Sequence, residues 1–542
     1  MFPLAQVLPL GMTLPEGLTP NLDLLLPEFI VIGTAIGAIL PELLLPAGRR
    51  AAATAWTSLA GLVIAFVVVV AMGPSAELAV QVKDANGAVI SGLRMDSFAV
   101  FCRALITGGG ALLVLISMAF TRRLDRGHGE FYAILLFSLV GVMLVSGVSD
   151  LLSLFVCLEL VTIMAYVLAA FRRNDLRSTE AGLKYLVVGA VSTAILLLGI
   201  GLMYGWTGTM SLELMGQKVW GAVAAGESMP GLFLLGMALL LSGLFFKVGG
   251  VPFHVWIPDV YQGAPSPVTA FLITASKSAG VILLLRIAQA VFIRPLGLDA
   301  ALHNPLAQQW VLVLGALAVV TLLFGVLAAM AQRGIKRMLA YSSIGHAGYL
   351  LMGLAAIVAE GGQDANGAQY GGEALLYYIM AYFVTSVVAF GVIIVVGNAS
   401  AKVPGGGDSA RAYEGLWSRS PLLAVAMCLS LLSLAGVPPM SGFFGKFLIL
   451  RATVDKGLFV LAFIGAAAVV GSLYFYLLWI KSMYFEAPPE GAPKGDDFRI
   501  PMSTKVVLYG GMVAMVLMGV WMPPFYNWAH DAAASLTALA GR

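Results

Sequence analysis

Charge is what this sequence most lacks. Asp, Glu, Lys and Arg make up 11% of its 542 residues, where soluble domains carry about a quarter. A soluble fold of this length needs far more polar surface, and the mean hydropathy of +0.94 excludes one. Cysteine is scarce too. Cys102, Cys157 and Cys428 stand singly in apolar stretches without CxxC or metal-ligand spacing. They read as small buried hydrophobes, and no zinc or iron–sulfur framework is expected. No GxxxxGK[ST] loop occurs and no GxGxxG opens a βαβ unit, which leaves nucleotide binding without support. The net charge of +3 is too small to suggest nucleic acid. Residues 1–20 have neither a basic n-region nor an A-x-A-like cleavage site, so they read as a lead-in rather than a signal peptide.

What is present is apolar length, with 60% hydrophobic residues spread from end to end. About twenty such residues cross a bilayer as a helix. On that rule the chain is an all-α integral membrane protein with fourteen transmembrane helices. The expected spans are 22–45, 51–72, 98–120, 130–148, 150–171, 180–206, 230–262, 265–293, 305–331, 338–358, 373–397, 421–450, 457–485 and 503–523. With the N-terminus outside, seventeen Lys and Arg fall in inside loops and seven outside. The positive-inside rule therefore places both termini outside, on the periplasmic side of a bacterial inner membrane.

Two spans carry breaks. Gly249-Gly250-Val251-Pro252 interrupts the seventh and Gly436-Val437-Pro438-Pro439 the twelfth. Proline removes a backbone donor and clashes with the preceding turn. The carbonyls it frees at membrane depth are tolerated only inside protein or beside a wet cavity. Paired broken helices point to inverted repeats. Glu180-Ala-Gly-Leu-Lys-Tyr185 and Glu373-Ala-Leu-Leu-Tyr-Tyr378 share E-A-x-L-x-Y and support the pairing. The expected organisation is an N-terminal three-helix segment (1–129), five-helix repeats over 130–293 and 305–485, and a C-terminal helix and tail (486–542). The repeats hold spans 4–8 and 9–13.

Ionisable groups inside such spans cost about 3 kcal/mol each on insertion scales and mark function by default. Glu159, Lys247, Lys277 and Lys446 lie too deep for their side chains to reach water. Static ion pairing is one reading of them; proton transfer is the other. Burial disfavours a charged amine and a nearby carboxylate favours it. Moving such a pair from 4 to 8 Å changes their interaction by about 2 kcal/mol, roughly thirtyfold in a protonation equilibrium. His254 and His346 are relay candidates, because imidazole titrates near neutrality. Lys184 is either a carrier or the partner of Glu180 in an i, i+4 pair. Asp259 is expected to be solvated or locally paired. Arg103, Arg286 and Lys481 receive no role. His128, His303 and His530 fall in polar loops and are expected to be solvated.

The stretch from Phe246 through Pro252-Phe-His254 and Tyr261-Gln-Gly-Ala-Pro-Ser-Pro267 to Lys277 resembles the antiporter-like subunits of NADH:quinone oxidoreductase (respiratory complex I). Ile335-Lys-Arg-Met-Leu-Ala-Tyr-Ser-Ser-Ile-Gly-His-Ala-Gly-Tyr349 and Gly436-Val-Pro-Pro-Met-Ser-Gly-Phe-Phe-Gly-Lys446 look the same way. The wording is nearest the N-type members, ahead of the L and M types and of cation/proton (Mrp-type) antiporter subunits, which are the alternative reading. The 524–542 tail is too short for the long lateral helix of L-type members.

The resemblance implies a proton-translocating membrane subunit, driven by redox chemistry elsewhere and without a redox site of its own. It implies Glu159 modulating Lys247 of the broken seventh helix, a central Lys277, and Lys446 near the exit, with Lys184 and His254 on the same charged axis. It implies no cofactor in this chain, with NADH, FMN, Fe–S clusters and quinone held by partner subunits. It also implies membrane-arm neighbours, the M and K subunits among them, within the lipid bilayer. One feature departs from strict repetition. Lys247 precedes its Val-Pro break, whereas Lys446 follows its own.

Overall fold

In the computed structural model, residues 18–75, 78–83, 89–292, 305–359, 370–400, 403 and 406–538 are described. Lipid offers no hydrogen bonds, so each apolar segment satisfies its backbone internally as a helix. The N-terminal part holds α1 (Leu26–Gly37), α2 (Leu40–Leu44), α3 (Ala47–Met72) and α4 (Ser97–Thr121). Next come α5 (His128–Ser146), α6 (Leu151–Ala169), α7 (Leu176–Thr207), α8 (Leu212–Ala224), α9 (Gly231–Val248) and α10 (Ile257–Gly263). α11 (Ser266–Phe271) runs through a π-turn at Leu272–Ser276 into α12 (Lys277–Phe292). The second half holds α13 (Pro305–Met330), α14 (Ile335–Ala359), α15 (Tyr370–Ala399), α16 (Leu416–Arg419), α17 (Pro421–Ala435), α18 (Ser441–Asp455) and α19 (Phe459–Phe485). α20 (Met502–Val520) and α21 (Pro523–Ala538) close the chain.

Among the described residues, thirteen helices are long and apolar enough to cross a membrane. α17 and α18 are each too short alone and together form the expected twelfth span, which reconciles the count with fourteen. Local chemistry sets several helix starts. Asp96, Asp150 and Ser211 each accept from the backbone N–H three residues on, which satisfies an orphan donor at the N-terminus. The helix from Ser266 to Phe292 is buried along its whole apolar window, and α14 and α15 nearly so. Around this core stand α3, α7, α13 and α20, mostly exposed as lipid-facing helices are.

Several features lie beyond the expected spans. Leu18–Pro20, Leu78–Lys83 and Val89–Arg94 form a small antiparallel sheet (β1–β3) where only a loop was expected. α8 and α21 are additional helices, too polar for the hydropathy rule. His128 is not solvated: it is buried at the start of α5, with Nδ1 3.2 Å from Glu42 Oε2 and Nε2 3.1 Å from the Leu124 carbonyl. His303 lies outside the described residues. The unassigned arginines are buried in ion pairs. Arg103 meets Glu28 at 2.9 Å, joining α4 to α1. Arg286 grips Asp96 through two bonds of 2.6 and 2.8 Å and also donates to the Ser146 carbonyl, joining α12 to α4 and α5.

Candidate functional site

The two breaks are built alike. α9 ends on Gly249 (φ 89) and α17 on Gly436 (φ 86), left-handed conformations that favour glycine. The Phe245 carbonyl accepts from the N–H groups of Gly249 and Gly250, and the Leu432 carbonyl from those of Gly436 and Val437. Registering the halves on these ends, rather than on Val-Pro, shifts the alignment by one residue.

Lys247, Lys277 and Lys446 are 4%, 3% and 3% exposed. Lys247 stands in the last turn of α9, and its Nζ donates to Thr162 Oγ1 at 3.1 Å and Tyr185 Oη at 3.5 Å. Lys277 opens α12 directly after the π-turn and donates to the Ser343 carbonyl (2.6 Å) and Oγ (2.8 Å). Lys446 reaches back from α18 to donate to the carbonyls of Leu434 (2.8 Å) and Ala435 (3.0 Å), the negative end of α17. Each ammonium therefore sits at a backbone discontinuity and has neutral partners. Among the described residues, no carboxylate comes within ion-pair distance of any of the three.

These groups form a row. The stem of Lys247 packs at Gly280, where an added Cβ would lie 3.3 Å from its Cβ and Cγ, one turn beyond Lys277 on α12. Ser343, His346 and Tyr349 then follow at three-residue spacing on α14, about 4.5 Å apart along the axis. Ser343 holds Lys277. His346 Nδ1 bonds Tyr378 Oη, and its Nε2 lies 3.4 Å from Tyr476 Oη, which also bonds Ser342. The ring of Tyr349 lies 5.1 Å below Lys446 Nζ, and that of Tyr382 5.8 Å from Lys277 Nζ. Lys277, His346 and Lys446 are thus brought together along one stripe of α14.

The other candidates make no direct bond to the three lysines of that row. Glu159 accepts from Thr193 Oγ1 at 2.8 Å and lies one turn before Thr162, without touching Lys247. It is half-buried and shares an outward stripe of α6 with exposed Leu152, Val156, Ile163 and Val167. Lys184 is 43% exposed, paired with Glu180 at 2.7 Å and with Asp259 at 2.8 Å, which also binds Arg337 at 3.0 Å. Glu180, Lys184 and Asp259 line a polar cavity of about 250 Å³ at the end where α7 begins. His254 is buried against Phe324 with Nδ1 unpartnered.

The sequence reading missed Thr162, Tyr185, Ser343, Tyr378 and Tyr382, although the polar stripe of Tyr341-Ser-Ser-Ile-Gly-His-Ala-Gly-Tyr349 is visible at helical spacing. It also placed Lys336 in a loop. Lys336 is buried and donates to the Gln262 and Ala264 carbonyls at the end of α10.

The profile of the family described as "NADH:quinone oxidoreductase/Mrp antiporter, TM" matches residues 148–471. The NADH-quinone oxidoreductase subunit N of Moorella thermoacetica is 36% identical over 513 residues, covering 95% of this chain and 98% of the relative. A chain of respiratory complex I from Thermus thermophilus superposes with a TM-score of 0.71 at 28% identity, covering 92% of this chain and 98% of that one. A chain of the Mrp complex from Dietzia superposes at 0.76 but 20% identity, over 95% and 98%, which is a likeness of fold.

Proposed function

This chain belongs to the NADH:quinone oxidoreductase/Mrp antiporter family, and from that premise we propose that it is the proton-translocating N subunit of a bacterial respiratory complex I. Protons pass from cytoplasm to periplasm along Glu159, Lys247, Lys277, His346 and Lys446, with Lys184 at the inlet. NADH oxidation, flavin, Fe–S clusters and quinone reduction lie in partner subunits. The outward stripe that carries Glu159 is the face that meets a neighbour, since a membrane-facing carboxylate requires polar cover; M and K are the neighbours. Both termini are periplasmic. The units are 1–129, 130–293, 305–485 and 486–542, with the two like-built breaks supporting the repeat.

One observation carries the reading. Arg103 and Arg286, buried within the spans, have carboxylate partners, whereas Lys247, Lys277 and Lys446, also buried within the spans, have hydroxyls and carbonyls. A static charge in lipid needs a counter-charge. An amine with neutral partners releases its proton without leaving an orphan anion. Co-migration of a tagged chain with NADH-oxidising activity tests membership; none would end it. Lys277→Ala is expected to leave the complex assembled and to lower quinone-linked pumping by about tenfold or more. Lys277→Arg is expected to fail equally, because arginine keeps its proton. Pumping restored by arginine would leave a structural charge as the explanation.

A further inference from the structure

α21 lies across the end of the molecule where α15 begins, and it ties three elements together there. On α4, Phe98 N–H donates to Ser535 Oγ at 3.0 Å and the ring of Phe101 meets Trp528. On α12, Gln289 donates to the Leu536 carbonyl. On α15, Tyr526 and His530 both reach Glu373. Glu373 is 2% exposed, and both of its oxygens are engaged: the Tyr526 hydroxyl donates to Oε1, and His530 Nδ1 meets Oε2. The His530 side chain is 44% exposed, so it is neither free in solvent nor enclosed. A single imidazole joins a buried carboxylate to the surface. Five residues further along α15, about 7–8 Å by helical rise, Tyr378 bonds His346 beside the helix that carries Lys446.

We propose that Glu373 and His530 are the proton-release pair of this chain, delivering the proton from the Lys446 end of the row to the phase outside α21. The proposal rests on the translocation reading above. A proton on the Glu373 carboxyl passes to Nδ1 of neutral His530. The resulting imidazolium loses a proton from Nε2 to water, and tautomer exchange through solvent resets the ring. Tyr526 donates to the carboxylate throughout and fixes its orientation. A latch that merely held α21 down would need only hydrogen bonds. A carrier needs a group that titrates.

Glutamine separates these roles, since its amide accepts from Tyr526 and donates to His530 while carrying no transferable proton. In membrane vesicles holding the full complex, Glu373→Gln is expected to assemble normally and to pump about tenfold less or worse. Glu373→Asp is expected to restore much of the loss, and His530→Gln to lower pumping in the same way. Wild-type pumping by both Gln variants, while Lys277→Ala does not pump, overturns the release pair and leaves the translocation reading standing. Wild-type pumping by Lys277→Ala as well removes both. If Glu373→Gln prevents assembly, His530→Gln decides alone, and unchanged pumping in that variant rejects the proposal.

Discussion

Why does this protein give Arg103 and Arg286 a carboxylate and leave Lys247, Lys277 and Lys446 without one? Arginine never loses its charge under physiological conditions, so in lipid it requires a permanent partner. Arg103 has Glu28 and Arg286 has Asp96. Removing one member strands the other, at a cost of about 3–5 kcal/mol. Glu28→Ala is therefore expected to reduce the amount of assembled, detergent-stable protein, and the double change Glu28→Leu, Arg103→Met to restore it. Pumping per assembled complex is expected to stay unchanged in the double variant. Reduced pumping there would give the pair a role in transport. For Lys277 the order reverses, with pumping lost and assembly kept. The charges themselves were legible in the sequence. Their partners were not, because Asp96 and Arg286 are brought together by packing across 190 residues of chain.

At the scale of elements, the apolar spans and both helix breaks were legible because lipid imposes length and glycine–proline imposes interruption. Three things were not. α8 and α21 are amphipathic or polar, so hydropathy passes over them. The π-turn before Lys277 has no composition of its own, since Leu272–Ser276 reads as ordinary helix. The kinship of Lys247 and Lys446 was hidden by their register. Lys247 belongs to the last turn of its half-helix by position, and Lys446 reaches the corresponding end of α17 by folding back from α18. The αL glycines make this testable. An alanine there costs about 1–2 kcal/mol, and at Gly436 the new Cβ would lie 3.0 Å from the Lys446 Cδ. Gly208 caps α7 in the same conformation with nothing within 4 Å. Both variants are expected to lower stability alike, measured by thermal unfolding of the solubilised complex. Gly436→Ala alone is expected to lower pumping per complex; equal pumping in the two would detach the break from transport.

For the whole molecule, the direction of transport depends on which end of the row faces the cytoplasm. The Lys184–Asp259 cavity and the start of α14 lie at the end assigned inside by the Lys and Arg bias, and the Glu373–His530 pair lies at the other. The assignment can be read with thiols, because the native cysteines give little background: Cys102 and Cys157 are buried and Cys428 is half-buried within α17. Glu227 follows α8 and Glu490 follows α19, both exposed. They fall on opposite sides if the chain runs as proposed. In right-side-out vesicles, a membrane-impermeant maleimide is expected to label Glu227→Cys and to spare Glu490→Cys until the membrane is opened; inverted vesicles should exchange the two results. The reverse pattern would turn the row around. Lys184 would then become the outlet and His530 the inlet, and the proposed export of protons would require loading them from the periplasm.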